Sequence, residues 1–150
     1  MLKTVISCLT IVTLFLSPLL ATATGVAIGK IKGTRGIVSI QREGKTKPAF
    51  PNDKIYMKDV ILTGSNSAVG ILLEDNTLIS IGPIGRLVMT KYLFSPAKNE
   101  YEMRLKMSRG TFVYQSGLLG KLAPHAVTID TPVGKISMLK PTDFKAKFSE

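Results

Sequence analysis

The sequence predicts an all-β fold in a single domain, and three observations lead there. No stretch beyond residue 25 keeps the apolar period of an amphipathic helix. Glycine and proline recur every few residues, from Gly33 and Gly36 through Pro83 and Gly110 to Pro132 and Pro141. Each interrupts a helix and can serve a turn. Between them lie short runs rich in Val, Ile, Thr, Tyr and Phe, which fit a pleated, half-buried surface.

In chain order, Met1–Lys3 is a short basic start and Thr4–Leu20 is an uncharged apolar run. Ala21-Thr22-Ala23 then supplies the small residues that a signal peptidase accepts. Residues 1–23 therefore read as a signal peptide cleaved after Ala23, and the mature chain is expected in the periplasm or outside the cell. The alternative is an uncleaved helix anchored in the inner membrane, because the run is nearly long enough to span a bilayer. Pro18 and the Ala-Thr-Ala exit favour cleavage. Cys8, the only cysteine, lies inside the leader. The mature chain then has no disulfide, no thiol nucleophile and no thiolate ligand.

Residues 24–35 read as a basic lead-in, and 36–150 as the β domain. Tyr101, Met103, Leu105 and Met107 alternate with Glu102, Arg104 and Lys106, which predicts a strand with one buried face. Phe112 and Tyr114 share a face, as do Val127 and Ile129, and Phe144, Ala146 and Phe148 alternate with lysines. Val69–Leu73 is apolar on both sides and is expected deep in the fold. Asp75-Asn76 predicts a tight turn, with Asn76 at positive φ. Gly64–Ser67 reads as another turn and Gly82-Pro83-Ile84-Gly85 as a rigid corner. Ser95–Asn99 is expected as a polar loop, and Arg42–Asn52 as a basic loop with two prolines.

The formal net charge is +10. Lys30, Lys32, Arg35, Arg42, Lys45, Lys47, Lys54 and Lys58 face only Glu43 and Asp53 over their stretch. Such an excess concentrates anions: lipid headgroups, acidic glycans or an acidic protein. Export, the lack of tryptophan and sparse aromatics argue against nucleic acid.

Nothing points to an enzyme. His125, the only histidine, lies at a turn, and the nearest candidates for partners, Asp130 and Ser116, sit in no nucleophile motif. No histidine pair or His–carboxylate cluster suggests a metal or another cofactor. Asp59 and Asp75 are expected to cap backbone N–H groups of turns. Arg109 is expected to pair with a turn carboxylate such as Asp75 or Asp130, with anion binding as the alternative. Tyr92, Phe94, Tyr101, Phe112 and Tyr114 are read as packing.

Five stretches, in order, carry a family resemblance. They are Thr34–Ile40 (TRGIVSI), Asp59–Leu73 (DVILTGSNSAVGILL), Glu74–Pro83 (EDNTLISIGP), Ser108–Gly117 (SRGTFVYQSG) and Thr128–Gly134 (TIDTPVG). The chain resembles the FecR-like domain family of bacterial envelope proteins. The resemblance implies a twisted solenoid-like or sandwich-like stack of short strands. It also implies a signal-relay role, here read as non-catalytic, through contact with another envelope protein such as a receptor or sensor, with edge-strand addition or the basic face as the expected route. On it, Asp59, Gly64, Asp75, Asn76, Gly82, Pro83, Gly110 and Pro132 are turn-forming motif positions. Arg35, Arg109 and Lys140 are the candidate partner contacts. The closing element departs from the family: Lys140-Pro141-Thr142 stands where Arg-Gly-Thr is usual, which removes a guanidinium fork and a backbone donor. The runner-up function is an envelope structural protein that binds acidic glycan or lipid headgroups through its basic face.

Overall fold

The computed structural model describes residues 25–149. The expected leader, its cleavage point and the anchored alternative fall outside the described residues. The described residues are mostly β, with a curled nine-strand antiparallel half-barrel sheet and one strand added to it in parallel. Its strands are β1 (Gly29–Arg35), β2 (Val38–Arg42), β3 (Lys45–Pro48), β4 (Lys54–Ile55), β5 (Val60–Thr63) and β6 (Ala68–Leu73). They continue with β7 (Leu78–Ile81), β8 (Arg86–Ser95), β9 (Glu100–Gln115), β10 (Val127–Thr131), β11 (Gly134–Ser137) and β12 (Phe144–Phe148).

The strands form two leaves that share β9. One leaf runs β4-β1-β6-β7 to the C-terminal part of β9, then β12. The other runs β3-β2-β5-β8 to the N-terminal part of β9, then β10 and β11. The crossing point is Gly110, at φ +98, where a Cβ would lie 2.5 Å from Gly85 Cα. Only glycine fits both the left-handed backbone and that approach.

Alternation builds the core. Ile40, Ile61, Leu87, Met103, Leu105 and Ile129 from one leaf join Ile31, Ile71, Ile79, Ile81, Phe112 and Tyr114 from the other in a single cluster. Each such side chain contributes about 1.5–3 kcal/mol relative to exposure. Strand β12 closes its leaf with Phe144 stacked on Tyr114 at 5.4 Å and Phe148 tilted against Phe112 at 6.1 Å.

Several expectations need correction. The lead-in 24–35 is not separate from the domain: β1 pairs with β4 and β6, and Ile31 is fully buried. A bulge between Ile31 and Gly33 obscures its alternation. The basic loop Arg42–Asn52 contains β3, joined to β2 by Glu43 (φ 50) and Gly44 (φ 77), a pair suited to a two-residue hairpin turn. Val69–Leu73 is buried on one side only, since Gly70 and Leu72 remain partly exposed. The five-residue helix α1 (Leu118–Leu122) was not expected. The other turns stand where the sequence placed them, with Asn66, Asn76 and Asn99 at positive φ.

Candidate functional site

Two buried carboxylates belong to the scaffold rather than to the surface. Asp59 is fully buried and takes both oxygens' bonds from Arg42, each at 2.7 Å. It also accepts from Tyr56 N–H at 2.9 Å, closing its turn. The Arg42 guanidinium lies 4.3 Å from the centre of the Tyr56 ring. The hydrogen bond to Asp59 holds the Arg42 pKa above its ordinary value.

Asp75 is fully buried, and among the described residues no cation pairs with it. Its carboxylate accepts from Tyr92 O–H (3.0 Å), Thr77 O–H (2.6 Å), Thr77 N–H (3.3 Å) and Leu119 N–H (3.0 Å). Tyr92 O also accepts from Asp75 N–H at 3.0 Å. Burial, and then the neighbouring Asp75, holds the Tyr92 pKa far above the ordinary tyrosine value. Gly117 packs where a Cβ would lie 2.3 Å from Thr77 N. Both carboxylates are consumed by the fold.

At the opposite end of β6 and β7, three turns lie together: Gly36-Ile37, Gly64–Ser67 and Gly82–Gly85. Gly64 N–H donates to Ile37 O at 2.9 Å, and Ile84 N–H to Gly64 O at 3.1 Å. Thr63 Oγ1 donates to Gly82 O and accepts from Gly85 N–H. Ile37 N–H donates to Ser67 Oγ. This framework holds two isoleucines in solvent, Ile37 at 79% and Ile84 at 54% exposure. Ile84 has φ 52, the only β-branched residue at positive φ among the described residues. That backbone costs a β-branched side chain about 1–2 kcal/mol.

A groove of about 520 Å³ opens beside Ile84, lined by Pro83, Arg109, Gly110, Thr111, Lys147 and Phe148. Arg86 stands directly opposite Arg109 in the β8–β9 ladder, and like charges so placed repel. Among the described residues neither arginine, nor Lys147, has a carboxylate within ion-pair distance. The expected partners of Arg109 are engaged elsewhere: Asp75 as above, and Asp130 with Lys135 at 3.8 Å. The tip therefore joins exposed apolar side chains to uncompensated cations.

The sequence-derived candidates divide. Gly64, Gly82, Pro83, Gly110 and Arg109 meet at the tip, and exposed Arg35 ends β1 beside it. Lys140 does not join them; it lies in the exposed loop that enters β12 at the Tyr114 end. Pro132 forms the exposed β10–β11 turn, and Asp59, Asp75 and Asn76 belong to the scaffold. Ile37, Ile84, Arg86 and Lys147 escaped sequence reasoning. The one available signal was an isoleucine inside Gly-Pro-Ile-Gly, where asparagine or glycine would be easier.

The basic run also divides. Arg42 is spent on Asp59 and Lys47 pairs with Asp53 at 3.6 Å, while Lys30 and Lys32 lie on β1. His125 is exposed in a short 3-10 turn. The Ser116 hydroxyl makes no hydrogen bond. Among the described residues no cluster of three or more His, Cys, Asp or Glu could hold a metal, and no helix is long and apolar enough to cross a membrane. Compared with protein-family models, curated proteins and solved structures, the chain matches none.

Proposed function

We propose that this chain is a non-catalytic, exported binding module of the bacterial envelope that contacts another envelope protein through the turn tip. The observation that carries the reading is Ile84: an exposed β-branched residue held at positive φ beside Arg109. Selection for folding alone would favour asparagine or glycine there, so the side chain has value outside the fold. The matching partner surface is acidic with an apolar anchor, since a small apolar centre ringed by charge suits specific contact. The order of FecR-like motifs supports a relay role for that contact.

Strand addition, the other route to a protein partner, is poorly served. The edge strands β3, β4, β11 and β12 all carry lysine, β3 ends in Pro48, and β4 has two residues. These are devices that keep edges from pairing.

A photo-crosslinking side chain at position 37, in cells, tests the reading against one at position 46 on the β3 edge. The expected result is a protease-sensitive adduct from position 37. It should be lost in Arg109→Ala and kept in His125→Ala. An adduct from position 46 alone, or equal loss in both variants, would overturn the proposal.

A further inference from the structure

The outward face of the leaf containing β12 is a broad surface left open among the described residues. Two rows cross it at right angles to the strands. Ladder register aligns Gly33, Gly70, Ser80, Val113 and Lys145 in one row. The same ladders extend to Arg35, Ala68, Gly82, Thr111 and Lys147 in the other, with Gly82 N–H donating to Thr111 O at 2.7 Å. Adjacent strands lie about 4.8 Å apart, so each row spans roughly 19 Å.

The floor of this face is low and the ends are charged. Gly70 lies beside Lys32, whose Cβ would be 3.7 Å from a Cβ at position 70. Lys32 and Arg35 therefore stand at the β1 side, and Lys145 and Lys147 at the β12 side. Neither row contains an acidic residue, and among the described residues none of these four cations forms an ion pair. The shallow depression between them holds about 520 Å³ and is lined by Ser80 and Thr111 as well as glycine.

We infer that this face binds an anionic polysaccharide strand lying across the β-strands, without Ile84 or Arg109, although Gly82, Thr111 and Lys147 border both this face and the tip. Charge complementarity selects a polyanion. The backbone groups of a paired sheet are already bonded, so recognition falls to the end cations and to the Ser80 and Thr111 hydroxyls. A peptide would need separate recesses for its side chains, and the floor of Gly33, Ala68, Gly70 and Gly82 forms one shallow depression instead. A membrane would need exposed apolar side chains for insertion, and neither row has a large one exposed. Neutral sugars favour aromatic platforms, and neither row contains an aromatic residue.

The test uses a fluorescent oligogalacturonate, with neutral dextran and a single-stranded oligonucleotide of equal charge as comparators. Wild-type protein should bind the uronate, weaken steeply with salt, and ignore dextran. Arg35→Gln with Lys145→Gln should lose roughly tenfold in affinity, as removal of two end charges implies. Ser80→Tyr keeps every charge but raises the floor, and should lose at least as much. Arg109→Ala and Ile84→Asn, which disable the tip, should bind the uronate as wild type does. Unchanged binding by Ser80→Tyr, or tighter binding of the oligonucleotide, would reduce the face to unselective charge and overturn the inference. So would loss through Arg109→Ala alone. A dichroism spectrum and denaturation midpoint for each variant separate misfolding from lost contact.

Discussion

Strands β6 and β7 run between two ends built on opposite terms. At the Asp75 end, a carboxylate removed from water is matched by hydroxyl and backbone donors from Thr77, Tyr92 and Leu119. At the tip, Arg86 and Arg109 face each other with no acid paired to them among the described residues, and Ile84 stands exposed in a conformation that isoleucine resists. The first end satisfies the buried Asp75 carboxylate and locks helix α1 to the sheet through the Leu119 N–H. The second leaves charge and apolar surface uncompensated by the chain itself. Such an imbalance is characteristic of surfaces completed by a partner.

Substitutions should respond accordingly. The largest effect should come from Asp75→Ala, which strands the Tyr92 hydroxyl, Thr77 and the Leu119 N–H in a dry site. A loss of about 3 kcal/mol or more is expected in chemical denaturation. A loss below about 1 kcal/mol would erase the contrast between the two ends. Arg42→Ala leaves the buried Asp59 carboxylate with the Tyr56 N–H and should cost about 2 kcal/mol. At the tip the sign reverses. Ile84→Asn should raise stability by about 1 kcal/mol, and Arg109→Glu, which places an acid opposite Arg86, by about 0.5 kcal/mol.

The Asp75 end also sets an alkaline limit. Tyr92 and Tyr114 both have pKa values raised by burial, and Asp75 adds to the effect at Tyr92. In the unfolded chain a tyrosine ionises near its ordinary pKa of 10.0, while folded Tyr92 stays protonated. The unfolded state therefore binds fewer protons above that pH, so stability should be intact below about pH 10 and fall as pH rises further. In Tyr92→Phe the fall should be shallower, which denaturation at several alkaline pH values would show.

Much of this architecture was legible because its causes are local. Alternation in Tyr101–Met107 and Phe144–Phe148 marked the buried faces, and Asn76 marked its turn through its tolerance of positive φ. The misses have physical reasons. Strand β3 reads Lys-Thr-Lys-Pro and lies exposed at an edge, so it carries no apolar pattern. The bulge in β1 disturbs alternation around Gly33. Helix α1 is too short to show a period. The Arg42–Asp59 pair, the opposition of Arg86 and Arg109, and the two rows ending at β12 join residues far apart in sequence. Only the ladder registers bring them together. The candidate site was therefore half visible: Arg109, Gly110 and Pro83 through their motifs, and Ile37, Ile84 and Lys147 only once the turns were assembled.

The most direct test of the tip is a paired measurement on Ile84→Asn: its unfolding midpoint, and the yield of the adduct from position 37. The expected outcome is a protein that is more stable than wild type and captures little or no partner. A variant that is less stable, or that captures the partner as well as wild type, would contradict the claim that Ile84 is kept for contact rather than for the fold.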